Sequence, residues 1–146
     1  YVSGGSAVFR RSTFIKFGGM DEELFSPFYW EDIDLCYRAA KRGYFIGWEP
    51  ESRVAHHHES TIGKLSQKYV ARIRERNQLL CVWKNITSPR LFRKHLAGIM
   101  ARTIKHPGYL RVVMMALGRL GKTLRKRKKE LKEAKVSDEA IFAKFS

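Results

Sequence analysis

The 146-residue sequence contains only two cysteines and has no long uninterrupted apolar run. Cys36 and Cys81 each lie within an apolar stretch, without the spacing of a disulfide framework or of a cysteine-based metal site. A reducing compartment is therefore the default expectation. The longest apolar candidate, residues 109–120, is broken by Arg111 and Arg119 and falls short of the roughly 20 apolar residues that cross a bilayer. No membrane-spanning helix is predicted.

Acidic residues are scarce after residue 63. Residues 1–63 contain 7 Lys or Arg and 9 Asp or Glu, whereas residues 64–146 contain 22 and 5. The net charge is +15, and an apolar content of 44% is sufficient for a globular core. This asymmetry predicts a near-neutral, aromatic-rich part followed by a basic helical part that meets an anionic surface, either a membrane or a nucleic acid.

The first residues, YVSGGSAVF, lack an initiator methionine, a basic start and a cleavage site. Small residues mixed with β-formers predict a strand over residues 2–9. Gly4 and Gly5 are expected to let this segment approach another backbone or a ligand closely, and a bulged strand is the alternative. We expect the chain to begin inside a domain whose earlier half lies outside it.

Two helices are predicted in the following stretch. A short amphipathic helix starts near Arg10 and ends at Gly18-Gly19. A longer helix covers residues 29–42, with Ser26 as a candidate N-cap, and it ends at Gly43 after basic residues in its last turn.

Beyond Gly43, a short aromatic segment at 44–48 predicts a buried strand, and residues 53–58 predict a second one. Apolar residues at helical spacing then predict a helix over residues 64–85. Three further helices are predicted from their start signals, which are Ser88-Pro89, His106-Pro107 and Ser137-Asp138-Glu139. The sequence contains no internal repeat.

The acidic segment YWEDIDLCYR at residues 29–38 places Glu31, Asp32 and Asp34 between large apolar side chains. Partial burial raises the pKa of such a carboxylate, while the helix N-terminal dipole keeps it ionised, and this combination suits a general base near neutral pH. The alternative is an exposed carboxylate that only complements the dipole. Asp34 and Arg38, four residues apart, are predicted to form a structural ion pair.

Five motifs follow one another between residues 18 and 56. They are Gly18-Gly19-Met20-Asp21-Glu22, Glu31-Asp32-Ile33-Asp34-Leu35, Gly43-Tyr44, Pro50-Glu51 and Val54-Ala55-His56. In this order they resemble the C-terminal half of the catalytic domain of family 2 inverting glycosyltransferases. Met20 stands where that family usually has Phe, a replacement of similar volume.

This resemblance implies an α/β fold. Residues 1–63 would be the C-terminal half of a GT-A-like nucleotide-diphospho-sugar transferase domain, and residues 64–146 a basic helical extension for which a membrane surface is one expected location. The implied activity transfers a sugar from a nucleotide-diphosphate sugar to an acceptor hydroxyl with inversion, in polysaccharide or glycolipid synthesis. Inversion requires a base opposite the leaving group. By the resemblance Asp32 is that base, and Glu31 orients the acceptor or tunes Asp32.

Further site residues follow from the resemblance and from residue chemistry. The candidates for donor or acceptor contact are Gly4, Gly5, Asp21, Glu22, Trp30 and Arg76. For Asp21 and Glu22 the alternative is capping of a turn, and for Trp30 it is the core rather than a sugar platform. Arg76 lies in a helix that resembles the Arg-Asn helix of such transferases, and its planar guanidinium suits a diphosphate.

A divalent metal, Mn²⁺ or Mg²⁺, is implied by the resemblance, with His56 as its ligand. No Asp-x-Asp motif precedes the acidic helix, and Asp32-Ile33-Asp34 has that spacing only within the helix that supplies the base. The nucleotide-binding half is therefore expected outside this chain, and this part alone is expected to be inactive. A local metal site formed by His56 and His58 without sugar chemistry is an alternative.

The expected partners are a nucleotide-diphosphate sugar, a glycan or glycolipid acceptor and an anionic membrane surface, at the inner face of the cell membrane on the cytoplasmic side. One alternative is a non-catalytic binding module that keeps only the acceptor groove. Another is a nucleic-acid-binding protein. No aromatic residue accompanies the Lys and Arg residues of 122–135, which argues against base stacking and hence against that alternative.

Overall fold

The structure is a computed structural model that describes residues 2–55 and 62–145. Over these residues it contains eight α-helices and three short 3-10 helices. The α-helices are α1 Arg11–Lys16, α2 Glu22–Phe25, α3 Glu31–Lys41, α4 Gln67–Asn85, α5 Pro89–Lys105, α6 Leu110–Leu117, α7 Leu120–Glu133 and α8 Asp138–Phe142. The 3-10 helices are Ile62–Lys64, Pro107–Tyr109 and Ala143–Phe145.

Helix α4 is the centre of the packing. It contacts α2, α3, α6 and α7. Its buried apolar residues join those of α2, of α6 and of the turn before α6 in one core, formed by Leu24, Phe25, Leu79, Leu80, Cys81, Trp83, Tyr109, Val112 and Ala116. Burial of these side chains is the main stabilising contribution to this arrangement.

Several predicted helix boundaries are confirmed. Helices α1 and α3 occupy the predicted stretches. Ser88 and Ser137 cap α5 and α8, because their hydroxyls accept hydrogen bonds from backbone N–H groups in the first turn. Gly43 follows α3 with a φ of +78°, a conformation that favours glycine and ends the helix.

The prediction that Ser26 caps the acidic helix is wrong. Ser26 instead follows the last residue of α2, and Trp30 is the N-cap of α3. The cap of α3 makes no side-chain hydrogen bond. The backbone reverses between the two helices through Tyr29 and Trp30, which have φ values of +72° and +79°.

The strands predicted at 2–9 and 44–48 are absent from the described residues. Residues 3–6 form a turn, in which the N–H of Ser6 donates to the carbonyl of Ser3 at 3.0 Å. The segment at 44–48 is not buried as predicted, because Phe45 and Trp48 are 93% and 86% exposed. A strand needs a neighbour to pair with, and neither segment has one among residues 2–55 and 62–145. The α/β fold class stays a prediction. The segment predicted as a strand at 53–58 lies partly outside the described residues.

The basic C-terminal helices dock onto the rest of the chain through helix ends. Arg119 donates hydrogen bonds of 3.0 Å to the carbonyls of Glu23 and Leu24 in α2. Arg127 donates to the carbonyls of Trp83 and Ile86 at the end of α4, at 2.8 and 2.6 Å. These guanidinium groups satisfy carbonyls that a helix end leaves unpaired, and they complement its partial negative charge. Part of the basic charge is therefore structural.

Within the described ranges, no helix is both long enough and apolar enough to cross a membrane.

Candidate functional site

Asp32 lies in the first turn of α3 and is held by two backbone amides. Its Oδ2 accepts a hydrogen bond of 3.1 Å from the N–H of Gly4, and its Oδ1 accepts one of 2.8 Å from the N–H of Ile33. A Cβ added to Gly4 would lie 3.6 Å from Met20 and 3.9 Å from the Cβ of Asp32. Gly4 thus places the glycine-rich segment next to both the Gly-Gly-Met loop and the acidic helix.

Glu31 is half-buried beside Asp32. Burial raises the pKa of Glu31 above its usual value and the Asp32 carboxylate raises it further, although a hydrogen bond from its own backbone N–H opposes them. Its Oε2 is buried and has no hydrogen-bond partner within the described part of the chain. A carboxyl in this state can hold a proton or accept one more readily than an exposed glutamate.

Trp30 is also half-buried and packs against the main core. This contact agrees with the alternative that Trp30 is a core residue, while a role as a platform for a sugar ring stays a prediction. Gly5, next to Gly4, is exposed.

Asp34 lies two residues after Asp32 but in a different environment. It is fully buried, and its carboxylate binds Arg38 Nε at 2.7 Å, Lys84 Nζ at 2.9 Å and Asn85 Nδ2 at 2.7 Å. The predicted ion pair with Arg38 is confirmed. Because every oxygen of this carboxylate has a donor, the cost of burying its charge is offset.

Arg38 also connects the acidic helix to the Gly-Gly-Met loop. Its two terminal nitrogens donate hydrogen bonds of 2.8 Å to the carbonyl of Phe17 and 2.7 Å to the carbonyl of Gly19. Gly19 has a φ of +66°, and a Cβ there would lie 3.2 Å from the ring of Phe14. Glycine therefore fits this position for two independent reasons.

Asp21 is nearly buried and caps α2, since its Oδ1 accepts a hydrogen bond of 3.2 Å from the N–H of Leu24. Its carboxylate also binds Lys84 at 2.8 Å and Lys126 at 2.6 Å. Burial alone would raise the pKa of Asp21, but these two cations outweigh it and hold the pKa below its usual value. The cap agrees with the structural alternative. Glu22 is exposed in the first turn of α2, and its acceptor role stays a prediction.

Arg76 is buried in α4 below the loop that precedes the acidic helix. It donates a hydrogen bond of 2.6 Å to the carbonyl of Ser26 and two more, of 3.0 and 2.8 Å, to Oδ1 of Asn77. Burial lowers the pKa of Arg76 to about 10, and the charge of Arg119 contributes in the same direction. The guanidinium is thus already engaged with the protein itself.

His56 lies outside the described residues, so its predicted role as a metal ligand stays a prediction. Over residues 2–55 and 62–145 there is no group of three His, Cys, Asp or Glu side chains that could hold a metal ion.

An apolar cleft of about 400 Å³ adjoins the acidic helix. It is bordered by α1, α3 and the segments at 2–9 and 44–48. Its lining residues include Phe14, Phe17, Leu35, Ala39, Phe45 and Ile46. The cleft shows where these segments leave apolar surface uncovered.

Sequence reasoning missed the buried polar residues that support the site. Lys84, Asn85 and Asn77 occupy the buried face of α4, and Asp138 begins α8. Lys84 and Asn85 sit inside an apolar helical pattern, and this interruption of an otherwise hydrophobic face was the available signal. Nothing local marks Asp138, because its role at the start of α8 looks like ordinary helix capping.

Asp138 binds side chains in the C-terminal half of the acidic helix α3 and so holds that end in place. Its carboxylate accepts hydrogen bonds from Lys41 Nζ at 2.7 Å, from the Tyr37 hydroxyl at 2.8 Å, and from the backbone N–H groups of Thr87 and Ser88 at 2.7 and 2.6 Å. Burial would raise the pKa of Asp138, but these donors together hold it below its usual value.

Comparison with curated proteins reveals partial similarities to glycosyltransferases. Over 71 residues, the chain is 35% identical to the N-acetylglucosaminyl-diphospho-decaprenol L-rhamnosyltransferase of Mycobacterium tuberculosis, a match that covers 49% of this chain and 22% of the relative. Over 62 residues it is 37% identical to the pre-mycofactocin glycosyltransferase of the same species, covering 42% of this chain and 13% of the relative. No protein-family model matches the chain, and no solved structure matches it significantly.

The chain thus spans less than a quarter of the length of the curated relatives that it matches. The similarities support a relationship to glycosyltransferases in general.

Proposed function

We propose that this chain is the part of a glycosyltransferase that binds the acceptor and activates its hydroxyl, working with a nucleotide-binding part elsewhere in the full-length protein. The observation that carries the proposal is that the N–H of Gly4 binds the Asp32 carboxylate, while Gly4 also lies next to Met20 of the Gly-Gly-Met loop. The partial similarity to two glycosyltransferases supports it independently. The enzyme is of the family 2 inverting type, with a GT-A-like fold.

Asp32 acts as the general base. Its carboxylate takes the proton of the acceptor hydroxyl while the acceptor oxygen forms a bond to the anomeric carbon. The bond from that carbon to the diphosphate breaks on the opposite face, so the configuration is inverted. The two backbone N–H groups of Gly4 and Ile33 keep the Asp32 carboxylate oriented and leave oxygen lone pairs for the incoming proton.

Glu31 assists beside Asp32. Its Oε2 is closed to solvent and has no partner within residues 2–55 and 62–145, so Glu31 acts next to the acceptor as a carboxyl with a raised pKa rather than through that oxygen. In the full-length protein a divalent metal, Mn²⁺ or Mg²⁺ with His56 as a ligand, would neutralise the charge on the departing diphosphate.

The decisive variant is Asp32→Asn in the full-length protein. It keeps the side-chain shape and one of the two acceptor oxygens, so one of the two backbone N–H groups loses its partner, and it removes the base. Release of nucleoside diphosphate from a panel of nucleotide-diphosphate sugars should fall by about 10²- to 10⁴-fold, with the donor KM unchanged.

Glu49→Gln is the matched control, because Glu49 is an exposed carboxylate outside the helix, and it should leave turnover intact. Undiminished turnover in Asp32→Asn would refute the assignment of the base.

The enzyme works on a glycan or glycolipid acceptor at the cytoplasmic face of the cell membrane, where it is bound peripherally. Helix α5 has no buried residue, and its exposed apolar residues Leu96, Met100 and Ile104 recur every four positions along one face. Exposed Arg93 and Lys105 lie in the same helix. An amphipathic helix of this kind binds an anionic bilayer through apolar burial and through about 1 kcal/mol per cation near the surface.

Flotation with vesicles tests this placement. The protein should float with phosphatidylcholine–phosphatidylglycerol vesicles and less with pure phosphatidylcholine, and the double variant Met100→Gln, Ile104→Gln should lose this binding. Val54→Gln, which changes an exposed apolar residue outside the helices, serves as the control. Equal flotation of all three proteins would exclude α5 as the contact.

A further inference from the structure

The loop between α2 and α3 is tied to α4 by one buried side chain. Asn77 is completely buried, and its Nδ2 lies 2.7, 2.8 and 2.9 Å from the carbonyl oxygens of Phe25, Phe28 and Tyr29. Three carbonyls of the segment 25–29 therefore point at a single amide. An amide nitrogen has only two hydrogens, so at least one of them is shared between two carbonyls.

Arg76 fixes the orientation of the Asn77 side-chain amide, that is, which way its oxygen and its nitrogen point. The oxygen of the Asn77 side chain accepts two hydrogen bonds from the Arg76 guanidinium, at 3.0 and 2.8 Å. With the oxygen bound to a cation, the nitrogen must face the loop carbonyls. Arg76 also bonds directly to the carbonyl of Ser26 at 2.6 Å. The two neighbouring residues thus form one unit that grips residues 25–29.

The loop needs such a grip because its backbone is strained. Tyr29 and Trp30 both have positive φ values, which side chains other than glycine rarely adopt, and such conformations persist only where surrounding contacts enforce them. Trp30 is the N-cap of α3 and makes no capping hydrogen bond with its side chain. The residues that follow immediately are Glu31 and Asp32. The path of the strained loop therefore sets the direction in which the first turn of α3 points.

We propose that Arg76 and Asn77 are positioning residues that aim Glu31 and Asp32 at the acceptor by holding the loop 25–30 in its strained path. This inference rests on the proposed transferase function. It assigns to Arg76 a role different from the phosphate contact expected from the resemblance, since its Nε and one of its two terminal nitrogens are directed at Asn77 and at the carbonyl of Ser26.

Steady-state kinetics of the full-length protein distinguish the two roles of Arg76. The probe is a nucleotide-diphosphate sugar that the wild-type protein turns over. Arg76→Lys keeps the positive charge but cannot bond to both Ser26 and Asn77 in the same way. A positioning role predicts that kcat falls roughly 10- to 100-fold while the donor KM stays the same, because small displacements of a catalytic group are costly. A higher donor KM with unchanged kcat would instead show a phosphate contact and overturn the proposal.

Arg72→Lys provides the matched control, because it makes the same chemical change one turn earlier in α4. Arg72 lies beside a different cavity, which it lines with Arg102 and Tyr109, and both kinetic constants should be unaffected. Asn77→Ala should reproduce the kcat loss of Arg76→Lys without adding to it in the double variant, because both residues act through the same loop.

Amide hydrogen exchange tests the grip without any turnover. In Arg76→Lys, exchange should accelerate in residues 25–34 and remain as in the wild type over the distant helix α5. Unchanged exchange in 25–34 would overturn the proposal even if kcat fell. If the wild-type protein transfers no sugar, the transferase function fails, but the exchange result still decides whether Arg76 holds the loop. Arg76→Lys also covers the case in which the fully buried Asn77 cannot be replaced without unfolding.

Discussion

The two ends of helix α3 differ sharply in how their charges are compensated. At the first turn, Glu31 and Asp32 are half-buried, and the only donors that the structure gives Asp32 among its described residues are two backbone amides. From Asp34 onward, the buried charges of Asp34, Arg38 and Lys41 all have partners at 2.7 to 2.9 Å. The first two residues of the helix, here called the open end, are therefore available for chemistry, whereas the helix from Asp34 onward, here called the fixed end, is held by ion pairs.

Within the eleven residues of α3, the first two are available to a substrate and the later charged residues hold the helix in place. A catalytic carboxylate must stay available to its substrate, so it cannot be neutralised by the protein. Its orientation then has to come from elsewhere. The ion network around Asp34 and the attachment of Lys41 to Asp138 supply a rigid support for the open end.

The largest effect is expected from Lys84→Met, which attacks the fixed end. Lys84 is 2% exposed and bridges Asp21 and Asp34. Its loss leaves two buried carboxylates with fewer cations, and the free energy of unfolding should fall by about 3–5 kcal/mol.

Urea unfolding followed by circular dichroism measures this loss. Lys68→Met, an exposed change near the start of the same helix, should shift the free energy by less than about 0.5 kcal/mol. Similar values for the two variants would show that the fixed end does not depend on this network.

A smaller loss is expected from Asp138→Asn. The amide keeps the shape of the carboxylate but loses the charge that holds Lys41 and several N–H donors. The free energy of unfolding at neutral pH should fall by about 2 kcal/mol. The exposed neighbour Glu139, changed to Gln, should cost less in the same urea experiment, and the opposite order would contradict the anchoring role of Asp138.

The difference between wild type and Asp138→Asn should also depend on pH. The pKa of Asp138 is lower in the folded state than in the unfolded chain, so its contribution is complete above the unfolded value. As pH falls through the folded pKa, that contribution disappears. Urea unfolding at a series of acidic pH values should therefore show the two proteins converging. A constant gap down to the lowest pH would mean that the charge of Asp138 is not what stabilises the fold.

The smallest effect is expected at the open end, from Glu31→Gln, and with opposite sign. The pKa of Glu31 is raised in the folded state, so its ionisation above the unfolded pKa costs stability. The neutral amide should therefore increase the free energy of unfolding at neutral pH by about 0.5 kcal/mol, while turnover decreases. Thermal unfolding at neutral pH and at pH near 4 compares the two proteins with Glu31 ionised and with Glu31 largely protonated. The stability gain of Glu31→Gln over the wild type should vanish at the lower pH. A lower free energy of unfolding in Glu31→Gln would contradict this prediction, because it would mean that the Glu31 carboxylate stabilises the fold as the charges of the fixed end do.

Features that depend on local chemistry were predictable from the sequence. The pair Asp34 and Arg38, the serine caps at 88 and 137, and the glycine that ends α3 all rely on neighbours within four residues. The chemical role of Asp32 and the metal ligand His56 stay predictions.

Features that depend on distant partners were not predictable. Trp30 adopts a left-handed cap because Asn77, far along the chain, holds the loop, and no pattern near residue 30 contains that information. Lys84 and Arg127 were counted among the basic surface charges, but the first is buried between two carboxylates and the second binds helix-end carbonyls. The segments at 2–9 and 44–48 contain β-forming residues. A strand forms only when it hydrogen-bonds to an adjacent strand, and the composition of a segment does not specify that partner.

The hydrogen bond between Lys41 and Asp138 joins positions 97 residues apart. During synthesis, α3 is therefore complete long before this partner is made. The backbone carbonyl of Lys41 also accepts hydrogen bonds from the amides of Lys135 and Val136, at 2.8 and 3.0 Å. A ribosome that has reached residue 130 has produced the whole of α3 but neither Asp138 nor the amides of Lys135 and Val136. The helix that carries the candidate base therefore reaches its final surroundings only after residue 138 has emerged, and the assembly of this region waits for almost the entire described chain.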